Sequence, residues 1–542
     1  MNARRFSPIG FIRIRMWSWA FAVLATAGIA RAQDRAASPP SVVVEGAKSA
    51  GARASEAQRG VGQGWAQASA EERRVVTSHT VTAQGRSLAY KAEAGTLTTR
   101  DPSGKPVESL FYVAYTLNSP GSTSRRPVTF LYNGGPGSSN LWLHMGSFAP
   151  VRVRTKEPEA VRPAPFDFGP NPETLLDKTD LVFIDAPGTG YSRALGDTEE
   201  KAFWGVDQDA DVFARGILRY VTTAGRWNSP KYLLGESYGT TRAGAVAYQL
   251  QDRGMALNGV ILMSTILNYG IMQPGYDHVY ISYLPSFAVT AWYHHRLADP
   301  PADVATVAAQ ARAWALGPYA AALAKGQTIT PQELDSVARQ MSALTGLSID
   351  FIKRANLRVD LDRFQKELLR DQRMTTGRMD ARYKGVDSDA AGATAEYDPM
   401  LTSIYSLFFS CFSDYVRKDL GFVTDLDYRS GIYDFKGFDW DWRHKAPGGS
   451  DVQKAPDTAI DLSAAMRFNP HLRVISLNGY YDMATPFFAT EYDIAHMMLE
   501  PALQKNLQFH YYEAGHMIFL NPQALHQLHT DLAAFYDDAE TP

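Results

Sequence analysis

Four short runs of the chain, residues 128–132, 181–184, 231–234 and 260–263, are almost wholly apolar, and most are followed closely by a Gly- or Pro-containing turn. A run this short that is apolar on both faces does not suit a half-solvated sheet. It reads as a strand buried on both sides, as happens when helices cover both faces of a parallel sheet. Helix-like stretches separate some of the runs, and two more, 474–477 and 507–512, come only near the C-terminus. The pattern predicts an α/β fold with a mostly parallel central sheet, helices on both faces, and one long interruption.

The interruption, residues 271–466, has a different texture. Val304, Val307, Ala311 and Trp314 recur at helical spacing. Thr330-Pro-Gln-Glu333 has the form of a capping box with Pro at the first helical position, and Gly346 is a fitting stop. Residues 360–372 read as a further helix, followed by a Gly/Asp-rich stretch (384–399) and an aromatic-rich one (433–442). We expect a large, mainly helical cap at 271–466, inserted into a catalytic domain formed by 78–270 and 467–542. At the start of that domain, 81–90 and 107–116 alternate like strands with turn residues between them.

The N-terminus carries an address. Arg4, Arg5, Arg13 and Arg15 precede an apolar stretch from 16 to 30, and Ala30-Arg31-Ala32 suits signal-peptidase cleavage after Ala32. About 15 apolar residues fall short of the ~20 needed to span a bilayer. Residues 1–32 therefore read as a signal peptide, with Arg4-Arg5 also compatible with a twin-arginine route, and no membrane insertion is expected after its removal. Residues 33–77, rich in Ala, Ser, Gly and charges, read as a disordered linker. A periplasmic or secreted protein follows. Removing 1–32 takes away five Arg and no acid, so the formal charge falls from −3 to −8, which excludes an electrostatic footprint for nucleic acid. Cys411 is the single Cys of the chain, so no intramolecular disulfide can form.

The run 231–234 leads into Gly235-Glu-Ser237-Tyr-Gly239, the G-x-S-x-G pattern of a nucleophile elbow, and residues 240–250 can continue as a helix. Glycines suit such a turn because it crowds the backbone while the serine projects into a cleft. A serine needs a base to take its proton and an acid to orient that base. Asp482 lies just past the run 474–477, and His516 lies in the turn after 507–512, which is the Ser–Asp–His order this fold uses. Asp493 is a less suitable acid because it falls in a probable helix, and His294-His295 reads as structural. No metal-ligand constellation and no cofactor motif is present.

A tetrahedral intermediate needs preorganised donors for its oxyanion. The Tyr238 N–H, next to the nucleophile, is one. The second should come from a Gly-rich loop after an early strand, and Asn133-Gly-Gly135-Pro-Gly-Ser-Ser139 occupies that place. Trp142, Tyr238, Trp440 and Trp442 are candidates for lining the cleft.

Taken together, Tyr132-Asn-Gly-Gly-Pro-Gly-Ser-Ser139, Asp185-Ala-Pro-Gly-Thr-Gly-Tyr-Ser192, Tyr232-Leu-Leu-Gly-Glu-Ser-Tyr-Gly239, Asn478-Gly-Tyr-Tyr-Asp482 and Gly515-His516-Met517 resemble the serine carboxypeptidase family of the α/β-hydrolase fold. The resemblance implies release of C-terminal amino acids from peptides through an acyl-enzyme. Ser237 would be the nucleophile, His516 the base and then the acid, Asp482 its orienter, and the Gly135 and Tyr238 N–H groups the oxyanion hole. It further implies that Asn133, Gly134 and Glu236 bind the substrate's terminal carboxylate, for which Glu236 must be protonated to donate. Two residues depart from the pattern. Ser138 stands where many relatives have Cys, and Ser147 stands where the classical enzymes have a second Glu supporting the first. Two other readings stay open, an esterase or acyltransferase with the same triad and a non-catalytic binding protein on a hydrolase fold.

Overall fold

The computed structural model of the chain describes residues 68–118, 125–273 and 275–539. The expected signal peptide and the linker as far as residue 67 lie outside the described residues. Nine strands carry the main sheet: β1 (Arg74–Ala83), β2 (Arg86–Arg100), β3 (Pro106–Leu117), β4 (Val128–Tyr132), β5 (Asp180–Ile184), β6 (Lys231–Glu236), β7 (Gly259–Met263), β8 (Arg473–Gly479) and β9 (Leu507–Tyr512). Their order across the sheet is β1-β2-β3-β5-β4-β6-β7-β8-β9, with the short pair Arg193–Ala194 joining β3 at one side. The first three strands and the β3/β5 pairing are antiparallel. From β5 to β9 every pairing is parallel. This is the α/β-hydrolase fold.

The apolar runs form strands for the reason their composition implies. β4, β5, β6 and β7 are buried at every residue. Alternate side chains enter opposite cores. Leu131, Phe183, Leu234, Ile261 and Leu477 face one core, which the helix Pro522–Ala539 closes with Leu525, Leu528, Leu532 and Phe535. Phe130, Val182, Leu233, Val260 and Val474 face the other, against helices α2 (Val206–Thr223) and α3 (Tyr238–Asp252).

Several expected boundaries move. The linker was expected to run to residue 77, yet β1 begins at Arg74, because Val75 and Thr77 pair with Ala94 and Ala92 and close the sheet edge. Just ahead of β1, Glu72 accepts both Arg219 nitrogens (2.8 and 3.0 Å) and the Thr98 N–H (3.0 Å). The stretch 81–90 is a hairpin: Gln84 and Gly85 both take positive φ, as a two-residue turn demands. The helix expected at 360–372 is Leu361–Glu367, ended by a separate 3-10 turn, Arg370–Gln372. The capping box at Thr330 and the left-handed stop at Gly346 form as expected.

The insertion is less uniform than a helical cap. Its helical part, including His278–Tyr293, Val304–Trp314 and Pro331–Thr345, has its own core, shared with Tyr480, Tyr481, Met483 and Phe487 of the segment after β8. The helix Pro399–Asp414 instead joins the main core through Ile404, Leu407, Phe408 and Phe412. Residues 420–458 carry no named helix or strand and run as an irregular strap. A boundary at 466 would cut the helix Ala459–Phe468, which packs on α3 within the second core, with Gln251 Nε2 donating to the Ala465 carbonyl at 2.8 Å.

Beneath the sheet's C-terminal end lies a fully buried ion pair. Arg242 on α3 meets Asp209 on α2 in bidentate fashion (Nε–Oδ2 2.7 Å, Nη2–Oδ1 3.1 Å), and its remaining nitrogen donates to the Asn133 carbonyl at 2.7 Å. The guanidinium also stacks over Phe213 (4.1 Å). Removing one partner strands a charge in the core, so Asp209→Ala should lower stability by about 3–5 kcal/mol, read as a large fall in the thermal midpoint. A midpoint within a degree of wild type would show that the pair does not hold these elements together.

Candidate active site

Glu236 ends β6 and Tyr238 opens α3, leaving Ser237 alone in the turn at φ 60°, ψ −132°. A non-glycine residue at such a φ is strained, and the strain lifts the hydroxyl out of the strand–helix corner. The flanking glycines are demanded by space. A Cβ on Gly235 would sit 2.1 Å from the Gly239 carbonyl oxygen, and one on Gly239 would sit 2.8 Å from that of Tyr132. The Ser237 N–H donates to the Met263 carbonyl of β7 (3.0 Å).

Asp482 follows β8 and His516 follows β9, and the two meet. His516 Nδ1 lies 2.8 Å from Asp482 Oδ2. The same carboxylate is held by the N–H groups of Ala484 and Thr485 on Oδ1 (2.8 and 2.9 Å) and by the Thr485 hydroxyl on Oδ2 (2.7 Å). These donors fix which face the acid turns to the imidazole. Burial opposes a charge on His516, but Asp482 outweighs it and holds the imidazole above its ordinary value. His516 Nε2 is buried without a hydrogen bond and stands 3.4 Å from Glu236 Oε1, so it is open toward the elbow.

The Gly-rich loop after β4 closes against this turn. A Cβ on Gly134 would lie 2.3 Å from the Tyr238 nitrogen and 2.6 Å from that of Gly239. Asn133 is held on both sides of its amide: Oδ1 accepts the Leu143 N–H (2.9 Å), and Nδ2 donates to Glu236 Oε2 (2.8 Å). The Gly134 N–H faces the same carboxyl group and favours its charged form. Burial raises the Glu236 pKa despite these donors and the nearby imidazole. The loop therefore brings Asn133, Gly134, Gly135, Glu236 and the Tyr238 N–H into one place. Ser147 does not take over the role of a second acid, since its buried hydroxyl donates to the Leu143 carbonyl at 2.6 Å. The Tyr238 side chain is buried beside Arg242 and Trp440, so only its backbone N–H faces the Gly-rich loop. Trp142 packs on Phe408 and Tyr405.

Several residues at the site left no mark in the sequence reading. Ser264 joins two strands' ends: its N–H donates to the Leu477 carbonyl (2.9 Å) and its hydroxyl to the His516 carbonyl (2.6 Å). The cap segment 378–381 clamps the loops that carry Asp482 and His516 through its backbone. His516 N–H donates to the Met379 carbonyl (2.6 Å), Met483 N–H to the Arg378 carbonyl (3.1 Å), and Ala381 N–H to the Tyr481 carbonyl (3.0 Å). Behind the clamp, buried Arg382 joins Asp380, Glu157 and the Glu513 carbonyl. Burial and the neighbouring Asp380 push Glu157 up to about 8. Thr485 had a readable signal, because an Asp three residues before a Thr is a local turn pattern.

The strap forms another wall. It is tied to the Gly-rich loop by Ser139 N–H to the Ser430 carbonyl and Ile432 N–H to that of Gly137 (both 3.0 Å). It sets Trp440 and Trp442 against Tyr238, with ring centroids 5.5 and 6.2 Å apart, and Tyr433 beside Gly135. Its far end is latched by His444, whose Nδ1 and Nε2 reach Asp207 (2.6 Å) and Asp461 (2.8 Å). Both nitrogens can donate only when the ring is charged. Burial opposes that charge, but the two carboxylates hold His444 up to about 9.

A sequence model of the serine carboxypeptidase family matches residues 84–520, most of the chain and all of the site just described. The chain belongs to the serine carboxypeptidase family. A search of curated protein sequences returned no match. Among solved structures the chain is similar to a prohormone-processing carboxypeptidase from Saccharomyces cerevisiae, Kex1Δp, at 14% identity over 83% of this chain and 91% of that one, with a TM-score of 0.47. It is also similar to a proline iminopeptidase from Mycobacterium smegmatis (13% identity, 85% of this chain and 98% of that one, TM-score 0.32). A thermostable carboxyl esterase from Bacillus coagulans gives 12% identity over 82% and 98%, with a TM-score of 0.32. Among the described residues no helix is long and apolar enough to cross a membrane, and no group of three or more His, Cys, Asp or Glu could hold a metal ion.

Two outcomes follow from this serine carboxypeptidase site. A His444 pKa raised to about 9 means that the latch is complete below the unfolded value of about 6.5 and is lost as pH rises through 9. The thermal midpoint should therefore drop between these pH values, and His444→Gln should flatten that drop. An unchanged slope in the variant would remove the latch. Gly134→Ala should cut the rate of fluorophosphonate labelling about 10²-fold, because the methyl displaces the Tyr238 N–H. Labelling at the wild-type rate would mean the loop yields freely.

Proposed function

We propose that this serine carboxypeptidase releases C-terminal amino acids from peptides through an acyl-enzyme. Ser237 attacks the last peptide carbonyl while His516 takes its proton, and the same imidazole then protonates the departing amine. Asp482 keeps the ring oriented and stabilises its charged form. The Tyr238 and Gly135 N–H groups receive the oxyanion, and water then attacks the ester by the reverse proton path. Asn133, Gly134 and protonated Glu236 hold the terminal carboxylate of the substrate.

The observation that carries this reading is the position of Glu236. It is buried, accepts from Asn133 Nδ2 at 2.8 Å, and stands 3.4 Å from His516 Nε2. A terminal carboxylate gripped there would lie beside Ser237 and His516, which suits cleavage at the chain end. With Ser147 in place of a second acid, the proton on Glu236 depends on burial, and the burial-raised pKa fits that state. We further propose that the protein is exported to the periplasm or outside the cell after cleavage behind Ala32.

The test compares a peptide with the same peptide amidated at its C-terminus. We expect the free acid to be cleaved at least tenfold faster, with Ser237→Ala abolishing turnover of both. Equal cleavage of acid and amide would overturn carboxylate recognition and favour an esterase or acyltransferase. Failure of a fluorophosphonate to label Ser237 in the folded protein would favour a non-catalytic role.

A further inference from the structure

The clamp segment places an unused charge at the cleft. Arg378 is anchored by its backbone between the two catalytic loops, since its carbonyl accepts the Met483 N–H, and the next carbonyl, that of Met379, accepts His516. Asp398, which caps the helix Pro399–Asp414, takes the Arg378 and Met379 N–H groups (2.7 and 2.9 Å) and so spends its carboxylate on the backbone. The guanidinium is left exposed and makes no ion pair within 4 Å among the described residues, its one side-chain contact being Met379 Sδ at 3.8 Å. Most other arginines that flank the site are committed: Arg242 to Asp209, Arg382 to Asp380 and Glu157, Arg429 to Glu200.

Its charge reaches groups on several elements around the site. The charge acts on His516, on Tyr269 after β7, on Tyr283 and Asp362 of the cap helices, and on Tyr433 of the strap. For the three tyrosines, burial raises the phenol and the Arg378 cation works against that rise. A cation central to these groups, yet paired with none of them, is a cation awaiting an anion from outside the chain. Guanidinium is suited to that task because its planar fork matches a carboxylate and it cannot lose its proton.

We propose that Arg378 is an anion subsite of the cleft that takes a carboxylate of the bound substrate, either the C-terminal one or that of an acidic side chain. The inference deepens the carboxypeptidase reading and supplies a positive charge to a carboxylate grip that lacks one. It also explains why the cap approaches the catalytic loops through this segment: the backbone of residues 378 and 379 fixes the acid and base loops while the Arg378 side chain binds the substrate.

The experiment measures kcat/KM of the full mature protein, Arg378→Gln and Arg378→Lys on two pairs of substrates. One pair is an N-blocked dipeptide ending in Gln and its counterpart ending in Glu. The other is phenyl acetate and 3-acetoxybenzoate, two esters that differ only in a carboxylate on the leaving group. In Arg378→Gln the 3-acetoxybenzoate to phenyl acetate ratio should fall at least tenfold, and Arg378→Lys should recover part of it. A tenfold loss on both dipeptides assigns the C-terminal carboxylate, and a loss confined to the Glu peptide assigns the side chain. Wild-type protein that hydrolyses the esters but neither dipeptide would overturn the peptidase reading while the ester ratio still decides Arg378. An ester ratio and kcat/KM values on both dipeptides that all stay at wild-type level in Arg378→Gln, with circular dichroism melting matching wild type, would overturn the subsite.

Discussion

The site depends on a charge that never meets the substrate. Arg242 lies five residues past Ser237 on α3, is buried with Asp209 of α2, and donates its last nitrogen to the Asn133 carbonyl. One guanidinium thus fixes the helix that begins at the elbow, the helix beside it, and the loop that carries the expected oxyanion and carboxylate donors. Asn133 in turn holds Glu236, and Glu236 stands against His516. Burying two charges is unfavourable unless every donor and acceptor is satisfied, and here the stacked Phe213 ring and the Asn133 carbonyl complete the arrangement. The price of that burial is repaid as geometry at the far end of the chain of contacts.

How much of this was legible follows from the range of the interactions. Strands buried on both faces announce themselves by composition, so β4 to β8 were readable, while the half-buried edge strand β9 was readable only from its apolar run, and Ser237, Asp482 and His516 could be placed because each follows a strand. β1 was half missed because Val75 and Thr77 are only half-buried and charged neighbours surround them. The strap has no periodicity at all, since its structure comes from main-chain bonds to loops more than two hundred residues away. Ser264 and the Met379 carbonyl were invisible for the same reason: their partners are backbone groups at distant strand ends, which have no residue type. The helix Ala459–Phe468 falls almost wholly inside the expected cap 271–466, whereas packing places it on α3.

The insertion therefore has three relations to the core. Its helical part forms a separate hydrophobic cluster and reaches the loop that carries Asp482 through Tyr480, Tyr481 and Met483. The helix Pro399–Asp414 is part of the main core and cannot move without it. The strap crosses the mouth of the site between a backbone tie at Gly137–Ser139 and the His444 latch. Motion of the cap as one lid is incompatible with these attachments, because two of the three parts are built into the catalytic domain.

Beside the side-chain ties of His444 and Arg429, the strap has ties with one property in common. Ser139 to Ser430, Ile432 to Gly137, Gly190 and Arg429 to each other, and Val206 to Asp441 are all main-chain hydrogen bonds. Side chains at Tyr433, Phe438 and Trp440 are spent instead on the wall of the cleft. Anchorage and wall chemistry are thus written in different atoms of the same segment. Mutational drift can resculpt what the cleft accepts while the strap keeps its course, and selection for a new substrate need not first rebuild the fold.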